Sequence, residues 1–286
     1  METTKQVLLK LSGESLAKSK EGREFLEETL KEAKKAQAMM RQKEYANFQR
    51  SISNLYQEAG INYKTAMSIA SQIAVLNNES NNVNVKTIVI GGGNLLRGRE
   101  VSGMDREEAD NIGMLGTVMN GIALTAALNE NGVDAILQTP FAIAGISNVY
   151  LHSDIKKFLK KGKVVVFGGG TGQSRFSTDT NAALRAAQYG QDFIFKASTI
   201  DGVYNDDPNK NKDAQRYQTL SFATAIKDEL EVLDPEAFIK CRRSNIPIIV
   251  ARSEELSNLP SCLYESQKIG TYVGDVEDKF YLTRKK

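Results

Sequence analysis

"VKTIVIGGGNLLRG", residues 85–98, is the stretch on which the fold turns. A β-branched run from Val85 to Ile90, apolar from Ile88 onward, stops at three consecutive glycines, Gly91 to Gly93, and Asn94 and Arg97 follow. So short an apolar run ended by glycine reads as a strand entering a turn of bare backbone. Bare backbone approaches a ligand closely, successive N–H groups converge on anionic oxygens, and a guanidinium grips the same anion with two bonds. The alternative is a tight turn and nothing more. A Walker A loop is excluded because GxxxxGK[ST] is absent, and no clean GxGxxG precedes a ribose-binding acid.

The same kind of run recurs outward from this point. "VLLKLS" at 7–12, "VDAILQT" at 133–139, "KVVVFG" at 163–168, "FIFKAS" at 193–198 and "PIIVAR" at 247–252 are strand candidates. Segments of helical period separate them, as with Ile112, Leu115, Met119, Ile122 and Ala126 in 108–130. Apolar strands alternating with helices predict an α/β fold with a mostly parallel sheet covered on both faces. Such sheets bind ligands at the carboxyl ends of their strands, and the unusual residues lie there. Lys10 stands inside an apolar strand ending in Ser12 and Gly13, so its ammonium reaches either solvent from an edge strand or an anion. "GGGTGQSRFSTD" at 168–179 is a second glycine-rich turn. "TIDGVYNDDP" at 199–208 is turn chemistry, with Tyr204 available to cover a base and carboxylates available to position a lysine or a metal.

Composition narrows the function classes. The chain has 286 residues, 41% hydrophobic and 25% charged, with a net charge of +2. That balance gives no reason to expect a nucleic acid or a membrane as partner. No Trp and few aromatics argue against a stacking platform for single strands. The N-terminus lacks a signal peptide's pattern, and two cysteines, Cys241 and Cys262, form no framework, so the expected compartment is the cytoplasm. A single histidine, His152, makes a His-rich metal site or a Ser-His-Asp mechanism improbable; it reads as structural, near a helix start. The segment 17–60 is long, charged and helical in period, with Leu26, Leu30, Ala33, Met40, Tyr45, Phe48, Ile52 and Leu55 on one stripe. It reads as an inserted helical hairpin, packing on the core or a neighbouring subunit, with a regulatory lid as the alternative.

Taken in order, "LLKLSGE", "IVIGGGNLLRG", "DNIGMLGTVMNGIAL", "VVVFGGGTGQSRFSTDTNAALRA", "KASTIDGVYNDDP" and "EVLDPEAFIKCRRSNIPIIV" resemble the amino acid kinase superfamily and its bacterial UMP-kinase branch. The resemblance implies a three-layer αβα sandwich in a single domain over 1–286, interrupted by the 17–60 insertion. It implies a donor-nucleotide lobe at about 190–270 and a tail at 276–286. It also implies phosphoryl transfer from ATP to UMP, with Mg²⁺ carried by the ATP phosphates and no protein metal site. Lys10, Arg97, Asp179 and Asp201 match catalytic positions. Lys10, Leu11, Ser12, Gly13, Gly93, Arg97, Ser198, Tyr204 and Asp207 match the ATP side. Gly92, Asp110 and the loop Thr171, Gly172, Gln173, Ser174, Arg175, Phe176, Ser177 and Thr178 match the UMP side, with an N-cap as the alternative role for Asp110. Thr199 stands where relatives carry a lysine. A homohexamer, a trimer of dimers, is the implied assembly. The competing readings are a kinase of the same fold with another acceptor, and a non-catalytic nucleotide-binding or storage protein.

Overall fold

The computed structural model describes residues 4–16, 60–78, 82–95, 104–208, 210–230, 232–260 and 269–281. The insertion read at 17–60 lies almost wholly outside them, as do Arg97 and Cys262. All six expected strands form: β1 Lys5–Leu11, β2 Val83–Ile90, β3 Ala135–Gln138, β4 Val164–Phe167, β5 Phe193–Ser198 and β7 Ile248–Arg252. Three further strands join them, β6 Tyr217–Ser221, β8 Thr271–Gly274 and β9 Lys279–Phe280. The sheet order is β3-β4-β2-β1-β5-β7-β8-β6-β9. The first six strands in that order run parallel, so their carboxyl ends share one edge. β8 is antiparallel to β7, and β9 to β6, where Phe280 stacks on Tyr217 at 4.3 Å.

Period-two alternation sorts the strand residues into two cores. Val7, Leu9 and Leu11 of β1 face one side with Ile88, Ile90, Phe195 and Ala197, beneath the helices α1 (Tyr63–Leu76) and α2 (Arg106–Glu130). Leu8, Val89, Ile194 and Val250 face the other side, under α3 (His152–Lys160), α4 (Thr178–Gln188), α5 (Phe222–Lys227) and α6 (Pro235–Arg243). The result is the expected three-layer α/β sandwich. His152 opens α3 and stacks on Tyr189 at 5.2 Å. Beside that stack Arg185, 1% exposed, lies over the rings of Tyr150 at 4.3 Å and Phe167 at 5.2 Å, pinning α4 to β4.

Helix α2 reverses the usual reading of an apolar stripe. Ile112, Leu115, Met119 and Ile122 are 38%, 50%, 51% and 41% exposed, whereas Gly116, Thr117, Asn120, Gly121 and Leu124 are buried. Close approach explains the choice: a Cβ on Gly121 would stand 2.7 Å from Leu137 Cδ1, and one on Gly116 3.5 Å from the Gly92 carbonyl oxygen. Small residues therefore face the sheet and the large apolar ones face away. Among the described residues α2 is also the one helix with the length and composition of a membrane span; here one face of it packs on β2, β3 and β4.

Candidate functional site

Lys10 is not on an edge strand. β1 lies between β2 and β5, and Lys10, 7% exposed, points from β1 toward the N-terminus of α4. There its Nζ meets Asp179 Oδ1 at 2.9 Å. The other carboxylate oxygen, Oδ2, accepts from Lys196 Nζ at 2.7 Å. Lys196 is 8% exposed and is the register partner of Lys10 on β5. Burial alone would push the Asp179 carboxyl up, but the Lys10 and Lys196 charges outweigh it and hold the group well below the ordinary carboxylate range. Burial pushes the Lys196 ammonium down, to about 8, against the upward pull of Asp179. Lys196 also donates to the Val232 carbonyl oxygen.

The glycine turn after β2 packs directly on this cluster's first strand. A Cβ on Gly13 would collide with Gly93 N, and would stand 2.7 Å from Asn94 Oδ1. A Cβ on Gly92 would lie 2.9 Å from the Gly113 carbonyl oxygen of α2. The bare backbone inferred at 91–93 is thus needed twice over, against the β1 turn and against α2. Asn94 is 6% exposed and exchanges two amide hydrogen bonds with Asn120, at 3.1 and 2.6 Å. Asn120 in turn donates to the Gly91 carbonyl oxygen at 2.7 Å. The turn is locked to α2 at both its ends.

The second glycine-rich turn, 168–177, leads from β4 into α4 and so delivers Asp179. Gly169, Gly170 and Gly172 have φ of 77°, 61° and 82°, a left-handed path that suits glycine. Asp110 fastens this turn from α2: its Oδ2 accepts the Arg175 amide at 2.8 Å, and Arg106 Nε donates to both of its oxygens at 3.0 Å. Against burial, these bonds lower the Asp110 carboxyl below its ordinary range. The N-cap of α2 is Asp105, not Asp110. Phe176 is 51% exposed.

Beyond β5 a separate cluster gathers. Asp201 accepts from Tyr204 Oη at 2.9 Å and from Arg216 Nη1 at 2.5 Å. Asp201, Arg216, Arg252, Glu255, Ile269 and Gly270 line a cleft of about 240 Å³. Asp207 is ion-paired with Lys210 at 3.2 Å. A chain of hydroxyls joins this end to the β1 turn: Ser12 to Ser15 at 3.0 Å, Ser15 to Ser253 at 3.1 Å, and Ser253 to the Ser198 carbonyl oxygen at 3.3 Å.

The structure therefore pairs Lys10 with Asp179, packs Gly13 on Gly92 and Gly93 at the ends of the neighbouring strands β1 and β2, joins Asp110 to the 171–178 loop, and holds Asp201 with Tyr204 in a second group. Sequence reasoning passed over Lys196, Asn120 and Arg216. The signal for Lys196 was present: "LLKLS" and "IFKAS" each bury one lysine near the end of an apolar strand.

The chain matches the amino acid kinase family over residues 5–252. The uridylate kinase of Vesicomyosocius okutanii subsp. Calyptogena okutanii (strain HA) is 44% identical over 197 residues, 68% of this chain and 83% of that protein. Among solved structures, UMP kinase from Bacillus anthracis has a TM-score of 0.77 at 28% identity, covering 98% of this chain and 100% of that one. UMP kinase from Ureaplasma parvum has a TM-score of 0.75 at 28% identity, covering 96% and 100%.

Proposed function

The chain belongs to the amino acid kinase family and, within it, to the uridylate kinases, and from that premise we propose that it transfers the γ-phosphoryl group of ATP to the α-phosphate of UMP, releasing UDP and ADP. The observation that carries the reading is the buried Lys10–Asp179–Lys196 cluster beside the locked glycine turn. In-line transfer brings two anionic phosphates together, and catalysis consists of positioning them and stabilising their charge. A lysine held by a buried carboxylate, next to rigid backbone N–H groups, supplies both.

On this reading Lys10 contacts the oxygens in flight, and Asp179 holds it there. Leu11, Ser12, Gly13 and Gly93 form the ATP phosphate cradle, to which Arg97 adds its charge. Gly92, Asp110 and Thr171 to Thr178 surround UMP. Ser198, Tyr204 and Asp207 take the ATP base and ribose, and Asp201, anchored by Arg216, orders that lobe. Among the described residues no three Asp, Glu, His or Cys side chains converge, and Asp179 and Asp201 are each paired with a cation. Such a donor set fits a magnesium ion escorted by the ATP phosphates, whose oxygens and waters it prefers. When bound it neutralises charge on the transferring group. The activity belongs to pyrimidine nucleotide synthesis, in the cytoplasm.

The test is ADP release with ATP·Mg²⁺ and, in turn, UMP, CMP, dTMP, acetylglutamate, aspartate and carbamate. Turnover confined to UMP is expected. Preference for an amino-acid acceptor, or ATP binding without turnover of any, overturns the assignment.

The outward stripe of α2 supports assembly into the homohexamer, since four large apolar side chains on one helix face form a surface of the kind buried between subunits. Leu115→Glu places a charge at its centre. Light scattering should then show smaller species than the wild type; an unchanged mass removes the stripe from the interface.

A further inference from the structure

We propose that Lys196 is a positioning residue for phosphoryl transfer: through the shared Asp179 carboxylate it fixes the Lys10 ammonium, with Asp234 set behind it as a third member of the cluster. This rests on the kinase reading of the same site.

Lys10 and Lys196 are direct partners across neighbouring parallel strands and face the same side. Strands lie about 4.8 Å apart, so two ammonium groups in that relation repel unless a carboxylate stands between them. Asp179 stands there and divides its oxygens, Oδ1 to Lys10 and Oδ2 to Lys196. The two lysines differ in what remains to them. Lys196 spends its donors within the protein, on Asp179 and on the Val232 carbonyl oxygen before α6. Lys10 makes one contact among the described residues, to Asp179, and keeps donors for a ligand. Lys196 therefore acts through Asp179 and not on the nucleotide. Without it Oδ2 is unpaired, the carboxylate turns freely, and Lys10 is no longer held on one line.

Asp234 completes the arrangement. It is the N-cap residue of α6 yet makes no side-chain cap bond, and its Oδ2 is buried without a hydrogen-bond partner. Burial and the negative charge of Asp179 push its carboxyl up. Asp179, Lys10 and Asp234 are the charged groups that act on Lys196, and Glu236 adds negative charge at Asp234. The Asp179 and Asp234 carboxylates favour the Lys196 ammonium, while burial and Lys10 disfavour it.

Two measurements test this. In kcat/KM profiles, which report free-enzyme groups, the wild type should lose activity as pH rises through about 8, where Lys196 discharges. Lys196→Met should lower kcat about 10- to 10²-fold, the scale of a small misplacement of a reacting group, with both KM values nearly unchanged and that alkaline limb gone. Asp234→Asn is nearly isosteric but removes a charge that raises the Lys196 pKa, so the limb should move to lower pH. A Lys196→Met enzyme with wild-type kcat and an intact limb overturns the proposal, as does a limb unmoved by Asp234→Asn. NMR of lysine-labelled protein gives a readout independent of turnover: the Lys10 signal, identified with Lys10→Met, should shift in Lys196→Met, and in Asp234→Asn the Lys196 titration should move to lower pH. Lys10 and Lys196 signals that ignore these changes sink the proposal, whereas a wild type inert toward UMP sinks only the kinase reading.

Discussion

Asp179→Asn should lower kcat for UMP by about 10³-fold, at the upper end of what one lost electrostatic group costs, and should destabilise the protein by about 3–5 kcal/mol, the cost of breaking a buried ion pair. The asparagine is nearly isosteric, so the packing of α4 on β1 survives and the change is one of charge. It leaves Lys10 and Lys196 side by side, both nearly buried, with no anion between them. In the wild type the depressed Asp179 carboxyl is ionised throughout the neutral range; its stabilisation is complete above the ordinary carboxylate pKa and fades only as pH falls below it. In the variant the sign reverses. Asp179 raises the Lys196 pKa, so removing it lets that pKa fall further below the unfolded value of about 10.4. Between the two values the unfolded chain binds more protons, and stability rises with pH. The wild type gains nothing from Lys196 with pH until about 8, so the melting deficit of the variant should narrow as pH rises toward about 8 and level off above it. A deficit independent of pH, or a turnover within tenfold of wild type, would falsify the central role given to this carboxylate.

How much of this was legible in the sequence depends on where each element sits. The six parallel strands lie between two layers of helices, so apolar runs such as "VVVF" and "IIVA" announce themselves. β6, "YQTLS", and β9, "KF", lie at the open end of the sheet, where short and polar strands survive, and no run of apolar residues marks them. The glycine turns were legible as places of close backbone approach, and the packing of Gly13 on Gly93 and of Gly92 on α2 shows that approach. Their rigidity was not, since the Asn94–Asn120 pair joins residues 26 apart in the chain. The stripe on α2 was read correctly as helical, yet period does not say which side faces in; the glycines at 116 and 121 decide that through contacts visible only in three dimensions. Lys10 carried both readings, edge or anion, until the sheet order placed β1 in the middle.

Gly13→Ala should reduce kcat about 10²-fold or more, because displacing the cradle by even 1 Å misplaces the reacting phosphates on that scale. The added methyl meets Gly93 N, Asn94 Oδ1 at 2.7 Å and the Gly92 carbonyl carbon at 2.8 Å. None of these can move aside. Gly92 is already pressed on α2, 3.0 Å from Thr117 N to where its own Cβ would lie, and Asn94 is held by Asn120. Either the β1 turn lifts, taking Ser12 and the end of Lys10's strand with it, or the glycine turn does. The strain should also lower stability by about 1–3 kcal/mol, as overpacking does. Gly116→Ala is the matched control: its Cβ would stand 3.5 Å from the Gly92 carbonyl oxygen, an ordinary contact, within a helix that alanine favours. That variant should keep its turnover and melt no lower than wild type. Should Gly13→Ala behave like its control, the two turns are not a rigid cradle, and the ATP phosphates must be held chiefly by the charged side chains around them.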